Sequence, residues 1–143
     1  MPVFFHEEHP SFSLKQKTKL KHWVTSVISE KGFKHGEINY IFYTDKQLLE
    51  LNRSHLGHDT YTDIITFDLS EKKGVIAGDI FISIDRVMEN ATAYKEGFEH
   101  ELRRVMIHGV LHLLGEKDMT KSQKEKMRSE ENLALTKWDD SAS

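Results

Sequence analysis

The chain contains no cysteine, and this excludes disulfide staples and thiolate metal ligands. It also fits a reducing compartment, so a cytoplasmic location is expected. Proline is nearly absent: Pro2 and Pro10 are the only two, both near the start, so regular elements can run unbroken through the remainder. No apolar run approaches the roughly 18–20 residues a membrane-spanning helix needs, and no membrane association is expected. The opening MPVFFHEEHP lacks a basic stretch followed by an apolar one, so no secretory signal is expected. A basic excess is missing too. Twenty Lys and Arg face 23 Asp and Glu, a formal net charge of −3. That is not the footprint of a general nucleic-acid binder, so any such role must rest on a local patch or a partner. No aromatic RNA-reading motif of the RRM kind is present.

What is present suits one globular domain over 1–143: 38% hydrophobic and 30% charged residues in 143 positions. Val3–Phe5 reads as a short strand. Leu14, Leu20, Trp23, Val24, Val27 and Ile28 recur at helical spacing from about Ser13 to Ser29, and Gly32 follows as a stop. Residues 38–43 read as a strand, with Asp45 as the expected N-cap of a short helix carrying Leu48, Leu49 and Leu51. Two β-branched and aromatic runs, 64–69 and 75–84, flank a polar loop and predict a hairpin. Helices are predicted over about 85–95, 99–114 and from a Thr120 cap to about Ala134, with WDDSAS as a frayed tail. Mixed elements followed by three helices predict an α+β fold, a small mixed sheet flanked by helices.

Nine histidines are many for this length, and imidazole is the usual metal ligand where cysteine is missing. His108 and His112, in VMIHGVLHLLGEKD (105–118), are four apart and share one face of a helix. Gly115 can end that helix in a left-handed conformation, so that Asp118 swings back as a third ligand. Two imidazoles and a carboxylate leave positions open, as catalytic zinc requires. The competing reading is a pair of core histidines hydrogen-bonded to backbone among Met106, Ile107, Val110 and Leu111. The H-x-x-x-H-x-x-G-x-x-D spacing also matches the long zinc motif of metzincin proteases. There a glutamate follows the first histidine as general base, but here the position is Gly109, which cannot take a proton.

Three blocks resemble the YbeY family of bacterial rRNA-maturation endoribonucleases: HGVLHLLGEKD (108–118), TDIITF (62–67) and GDIFIS (78–83). Order and spacing agree from about Asn39 to Asp118. The resemblance implies an α+β fold and a zincin-like metal helix. It implies one Zn2+ per chain held by His108, His112 and the residue at 118. It further implies action on rRNA near the 3′ end of 16S rRNA, with the small ribosomal subunit as partner in biogenesis and quality control. Two positions depart from the family pattern. Asp118 stands where the third ligand is usually histidine, which makes another divalent metal more plausible. Leu56 stands where an arginine often precedes the TDIITF-like block, and Arg53 lies one turn earlier.

Other residues carry weaker signals. Asp79 reads as a surface carboxylate, with orientation of a ligand histidine as the functional alternative. Thr62 and Asp63 read as turn caps, and Glu116 as a loop residue close enough to serve as a base. Lys15, Lys19 and His22, Lys121, Lys124 and Arg128, and Arg103–Arg104 are the places to seek phosphate contacts if RNA binds. The function expected is a zinc-dependent single-strand endoribonuclease. A metalloprotease-like hydrolase, or an assembly factor with a structural metal that does not cut RNA, stands as the alternative.

Overall fold

The computed structural model describes residues 3–140. β1 (Val3–Glu7) leads to α1 (Lys17–Glu30), β2 (Lys34–Tyr43), α2 (Asp45–Leu56), β3 (Ile64–Asp68) and β4 (Val75–Ser83). Three helices follow: α3 (Ile84–Ala93), α4 (Phe98–Leu113) and α5 (Lys121–Asp140). The sheet order is β1-β2-β4-β3, with β1 and β4 parallel to β2 and the β3–β4 hairpin antiparallel. This is the α+β arrangement expected, with helices gathered on a small mixed sheet.

The strands alternate as a half-buried sheet must. Ile38, Tyr40 and Phe42 of β2 and Ile76, Ile80 and Ile82 of β4 face one side, all buried. α1 and α4 cover that side, and α5 packs outside both. α4 approaches closely because two glycines permit it. A Cβ on Gly109 would sit 2.8 Å from Ile80 Cγ2, and one on Gly78 would sit 2.4 Å from the Phe67 carbonyl oxygen and 2.9 Å from Leu113. The Tyr40 hydroxyl donates to the Met106 carbonyl at 3.0 Å, tying β2 to α4. α2 packs on the opposite side, where Tyr43, Phe81 and Phe67 form a row of edge and tilted ring contacts ending on His55.

Several boundaries differ from the sequence expectation, each for a local reason. α1 starts at Lys17 rather than Ser13, because Gln16 adopts a left-handed backbone (φ 57°) and the Leu14 N–H donates to Glu7 across the chain at 2.6 Å. Thr44, not Asp45, caps α2. Its hydroxyl accepts from the Gln47 N–H while the Gln47 side chain accepts from the Thr44 N–H, a reciprocal box that satisfies two end donors. Asp45 is thereby free to pair with Arg86 at 2.8 Å and to accept from the Ser83 hydroxyl at 3.1 Å. Thr120 does cap α5, accepting from Gln123 N–H at 3.1 Å.

The expected frayed tail is instead helix up to Asp140. Trp138 is buried, edge-on to Trp23 at 5.5 Å, with Lys19 Nζ 4.1 Å and the Arg103 guanidinium 4.6 Å from its ring. Trp23 donates its indole N–H to the Ala134 carbonyl at 2.7 Å. Burying an indole of this size outweighs fraying; residues 141–143 of the expected tail lie outside the described residues. Among the described residues no helix is long and apolar enough to cross a membrane.

A candidate metal centre

α4 places His108 and His112 one turn apart, their ring centroids 4.6 Å from each other. The helix ends as its sequence dictates. Gly115 takes φ +101°, its N–H bonds to the His112 carbonyl at 3.0 Å, and the Glu116 N–H bonds to the Leu111 carbonyl at 2.9 Å. The chain reverses there and brings Asp118 back. Its Oδ2 lies 3.4 Å from His108 Nε2 and 3.5 Å from His112 Nε2.

Those separations are too long for good hydrogen bonds. They match the edge of a tetrahedron with bonds of about 2.0 Å to a central ion, which is about 3.3 Å. One ligand atom from each of the three residues lies within 4.8 Å of the other two, so the group can hold a metal ion. The tautomers agree. His108 Nδ1 lies 2.7 Å from Glu131 Oε2, and His112 Nδ1 lies 3.1 Å from the Glu116 carbonyl oxygen. A carboxylate and a carbonyl only accept, so both Nδ1 atoms carry the proton and both Nε2 atoms present lone pairs toward Asp118. The His112 contact to a backbone carbonyl is the kind the core reading anticipates, while both side chains stay partly exposed.

The three residues lie in the wall of a two-lobed cleft. One lobe, about 410 Å³, is lined by Thr62 and Asp63 of the turn before β3 and Thr66 and Asp68 of β3, together with His108, His112 and Asp118. The other, about 260 Å³, is shared by Asp63, His108 and Asp118 with Tyr94, Arg104, Arg128 and Glu131. Glu101 joins this second lobe, so four carboxylates face two guanidiniums there, an excess of negative charge that a divalent cation would neutralise. Desolvation raises the Asp63 carboxyl above its ordinary value despite the opposing pull of His108, and desolvation likewise raises Glu101 against Arg104. Burial would lower His108, but the hydrogen bond and charge of Glu131, with Asp118 and Asp63, raise it overall.

Other residues singled out in the sequence fall variously. Asp79 lies on the far face of the sheet, where it accepts from Asn39 at 3.2 Å, and Asn39 in turn bonds His6 at 2.8 Å. It is remote from the imidazoles because its neighbour Gly78 is the residue that faces α4. Thr62 bonds the Ile64 carbonyl in the turn before β3, a structural role, while the Asp63 side chain lines both lobes. Glu116 contributes its carbonyl to His112, and its carboxylate pairs with Lys126 at 3.4 Å. Arg53 is paired with Asp59 at 2.5 Å and with Glu50, and neither it nor Leu56 lines the cleft. His55 meets Phe67 edge-on on the far face. Arg104 is held by Glu131 and Asn132, each at 3.1 Å, and Arg103 lies on Trp138, so neither is a loose phosphate contact.

Glu131 is the site residue that sequence reasoning missed. It is only 6% exposed and stands in the apolar stripe of α5 formed by Met127, Ala134, Leu135 and Trp138. A lone carboxylate at helical spacing inside such a stripe is the signal that could have found it.

The family model described as Endoribonuclease YbeY matches residues 4–139. The chain is 47% identical over 134 residues to a protein of Cytophaga hutchinsonii named Endoribonuclease YbeY, covering 94% of each chain. It is 51% identical over 124 residues to one of the same name from Flavobacterium psychrophilum, covering 87% of this chain and 88% of the other. A solution structure of a Thermotoga maritima protein superposes with a TM-score of 0.65 at 27% identity, covering 96% of this chain and 91% of that one.

Proposed function

This chain belongs to the endoribonuclease YbeY family, and on that footing we propose that it is a zinc-dependent endoribonuclease acting on single-stranded rRNA precursors. The substrate we assign is the region near the 3′ end of 16S rRNA, with the small ribosomal subunit as partner, in the cytoplasm, in biogenesis and quality control. The whole chain acts as one domain in this reading. The observation that carries it is the convergence of His108 Nε2 and His112 Nε2 on Asp118 Oδ2, with both Nδ1 protons already committed elsewhere.

His108, His112 and Asp118 would hold a divalent ion, which would supply Lewis-acid chemistry there. The protein's own groups do the remainder. Glu131 keeps the His108 proton on Nδ1 and fixes the ring plane, and the Glu116 carbonyl does the same for His112. Asp63 is the proton-handling group we assign. It lines both lobes, and burial raises its affinity for a proton, which suits a carboxyl that must accept one and return it. Peptide hydrolysis is disfavoured. Gly109 packs toward Ile80 and Ile64, so no side-chain base stands after His108, and a larger residue there would enter the core.

The test is cleavage of a short single-stranded rRNA fragment by purified protein, with and without chelator, together with elemental analysis. Chelator-sensitive cleavage is expected, with about one zinc per chain that is lost in His108→Ala and His112→Ala. RNA binding with no cleavage under any divalent metal would favour the assembly-factor reading. Equal metal content in wild type and both variants would remove the metal site as drawn.

A further inference from the structure

We propose that the exposed face of α5 bearing Lys121, Lys124 and Arg128 is the track along which a single-stranded RNA leaves the cleft. The inference rests on the reading of the cleft as an RNA-cutting site and adds the path that the strand takes beyond it. Its central observation is continuity. Arg128 lines the lobe that contains His108 and Asp118, and it also lines a second, shallower groove with Lys121, Lys124, Glu125 and Ser129. Arg104 in that lobe is held by Glu131 and Asn132, so the exposed cation available to a phosphate there is Arg128, which the groove connects to Lys124 and Lys121.

The three cations lie at i, i+3 and i+7, on one helical face spanning roughly 10 Å. Other charged groups of α5 are mostly committed inward or sideways. Glu131 is shared by His108 and Arg104, Glu130 pairs with Lys31, and Lys126 with Glu116. Among the described residues Lys121 and Lys124 have no ion pair, and Arg128 lies 3.8 Å from Glu131 with most of its side chain exposed. Glu125 is the one carboxylate on this face. In a chain of net charge −3, a row of three cations running into a cleft is the local patch that a polyanion can use. The basic stripe expected on α1 does not compare. Lys15 precedes the helix and Lys19 is engaged on Trp138.

The experiment measures binding of a labelled 12-nucleotide single-stranded RNA by fluorescence anisotropy over a salt series, on full-length protein in chelator so that no cleavage intervenes. For single strands, log K falls with log salt by about 0.7 per phosphate neutralised. Lys121→Gln/Lys124→Gln is expected to weaken binding about tenfold at low salt and to flatten the slope by about 1.4. Removing the same charge on the α1 side, with Lys15→Gln/Lys34→Gln, is expected to leave the slope unchanged. Equal loss in both double variants, or an unchanged slope in the α5 variant, overturns the proposal. So does capture of a polyglutamate peptide by wild type with no RNA binding, which would assign the face to an acidic protein. Failure of the cleavage assay while the α5 variant still loses its slope would overturn the nuclease reading alone.

Discussion

Replacing Glu131 by glutamine tests the proposed metal centre without touching any of its three proposed ligands. Glu131 accepts from His108 Nδ1 at 2.7 Å and from Arg104 Nη1 at 3.1 Å, one contact on each carboxylate oxygen. Glutamine keeps the shape but offers one oxygen and one NH2, so one of the two contacts must become donor against donor. Arg104 also donates to Asn132 at 3.1 Å and has Glu101 as an ionic neighbour at 4.0 Å, whereas His108 Nδ1 has only Glu131 among its hydrogen bonds. The amide oxygen should therefore keep His108, and the loss falls on ligand basicity and ring orientation.

Loss of such an outer partner typically weakens metal binding by 10–100-fold. The retained oxygen puts Glu131→Gln near 10-fold, or about 1.4 kcal/mol, and Glu131→Ala nearer 100-fold. The pH dependence gives a second signature. In the metal-free protein Glu131 raises the His108 pKa, so at low pH it favours the proton that competes with the metal. The glutamine variant loses this competition as well as the support. Its affinity deficit should be full above the histidine range and shrink toward pH 6. Competition against a chromophoric chelator across pH measures both. Equal affinity of wild type, Glu131→Gln and Glu131→Ala at pH 8 would refute the claim that Glu131 supports the ligand.

Three further perturbations follow from the same geometry. Gly109→Ala gains about 1 kcal/mol of helix propensity but forces a Cβ to 2.8 Å from Ile80, an overpacking cost of about 1–3 kcal/mol; a Tm lowered by about 3 °C is expected by calorimetry, and Gly109→Glu should yield unfolded protein with no casein-cleaving activity. Asp118→Ala should weaken metal binding at least tenfold while Asp118→His retains it, as read by isothermal titration; alanine binding as tightly as aspartate would move the third ligand elsewhere. Asp63 has a folded pKa raised by burial, so it contributes stability that is complete below its unfolded value near 3.9 and is lost as pH rises through the folded value. Asp63→Asn should accordingly raise the Tm of chelated protein at neutral pH relative to wild type, leave it little changed near pH 3, and abolish cleavage.

Much of this was legible in the residues, and the parts that were not share a cause. The α4 pattern, the Gly115 reversal and the β3–β4 hairpin are local, written in periodicity and turn chemistry within a few positions of one another. The His108–His112–Asp118 grouping was legible for the same reason, since one helix and one turn bring it together. Glu131 reaches His108 from another helix: its place in the apolar stripe of α5 marks it as buried, but not which partner it meets. Asp79 was ambiguous because alternation along a strand says which residues share a face but not which face meets α4; Gly78 against Leu113 decides it. The start of α1 was misplaced because the Leu14 N–H is claimed by Glu7, a partner from the preceding strand. The length of α5 was underestimated because its charged residues hide a stripe that becomes apolar only once Trp138 finds Trp23.

The hold that Trp23 and Trp138 exert on α5 also sets an order in time. A chain is made from its N-terminus, and structure can form only from what has emerged. His108, His112 and Asp118 are all synthesised before Glu131, and Glu131 before the tryptophan that pins its helix to α1. A nascent chain therefore exposes the three proposed ligand residues while the His108 imidazole still lacks its Glu131 partner. On the proposed reading the site is completed only when the helical turn carrying Trp138 has docked, so a chain truncated before Trp138 would be expected to keep the proposed ligands and lose much of its grip on a metal.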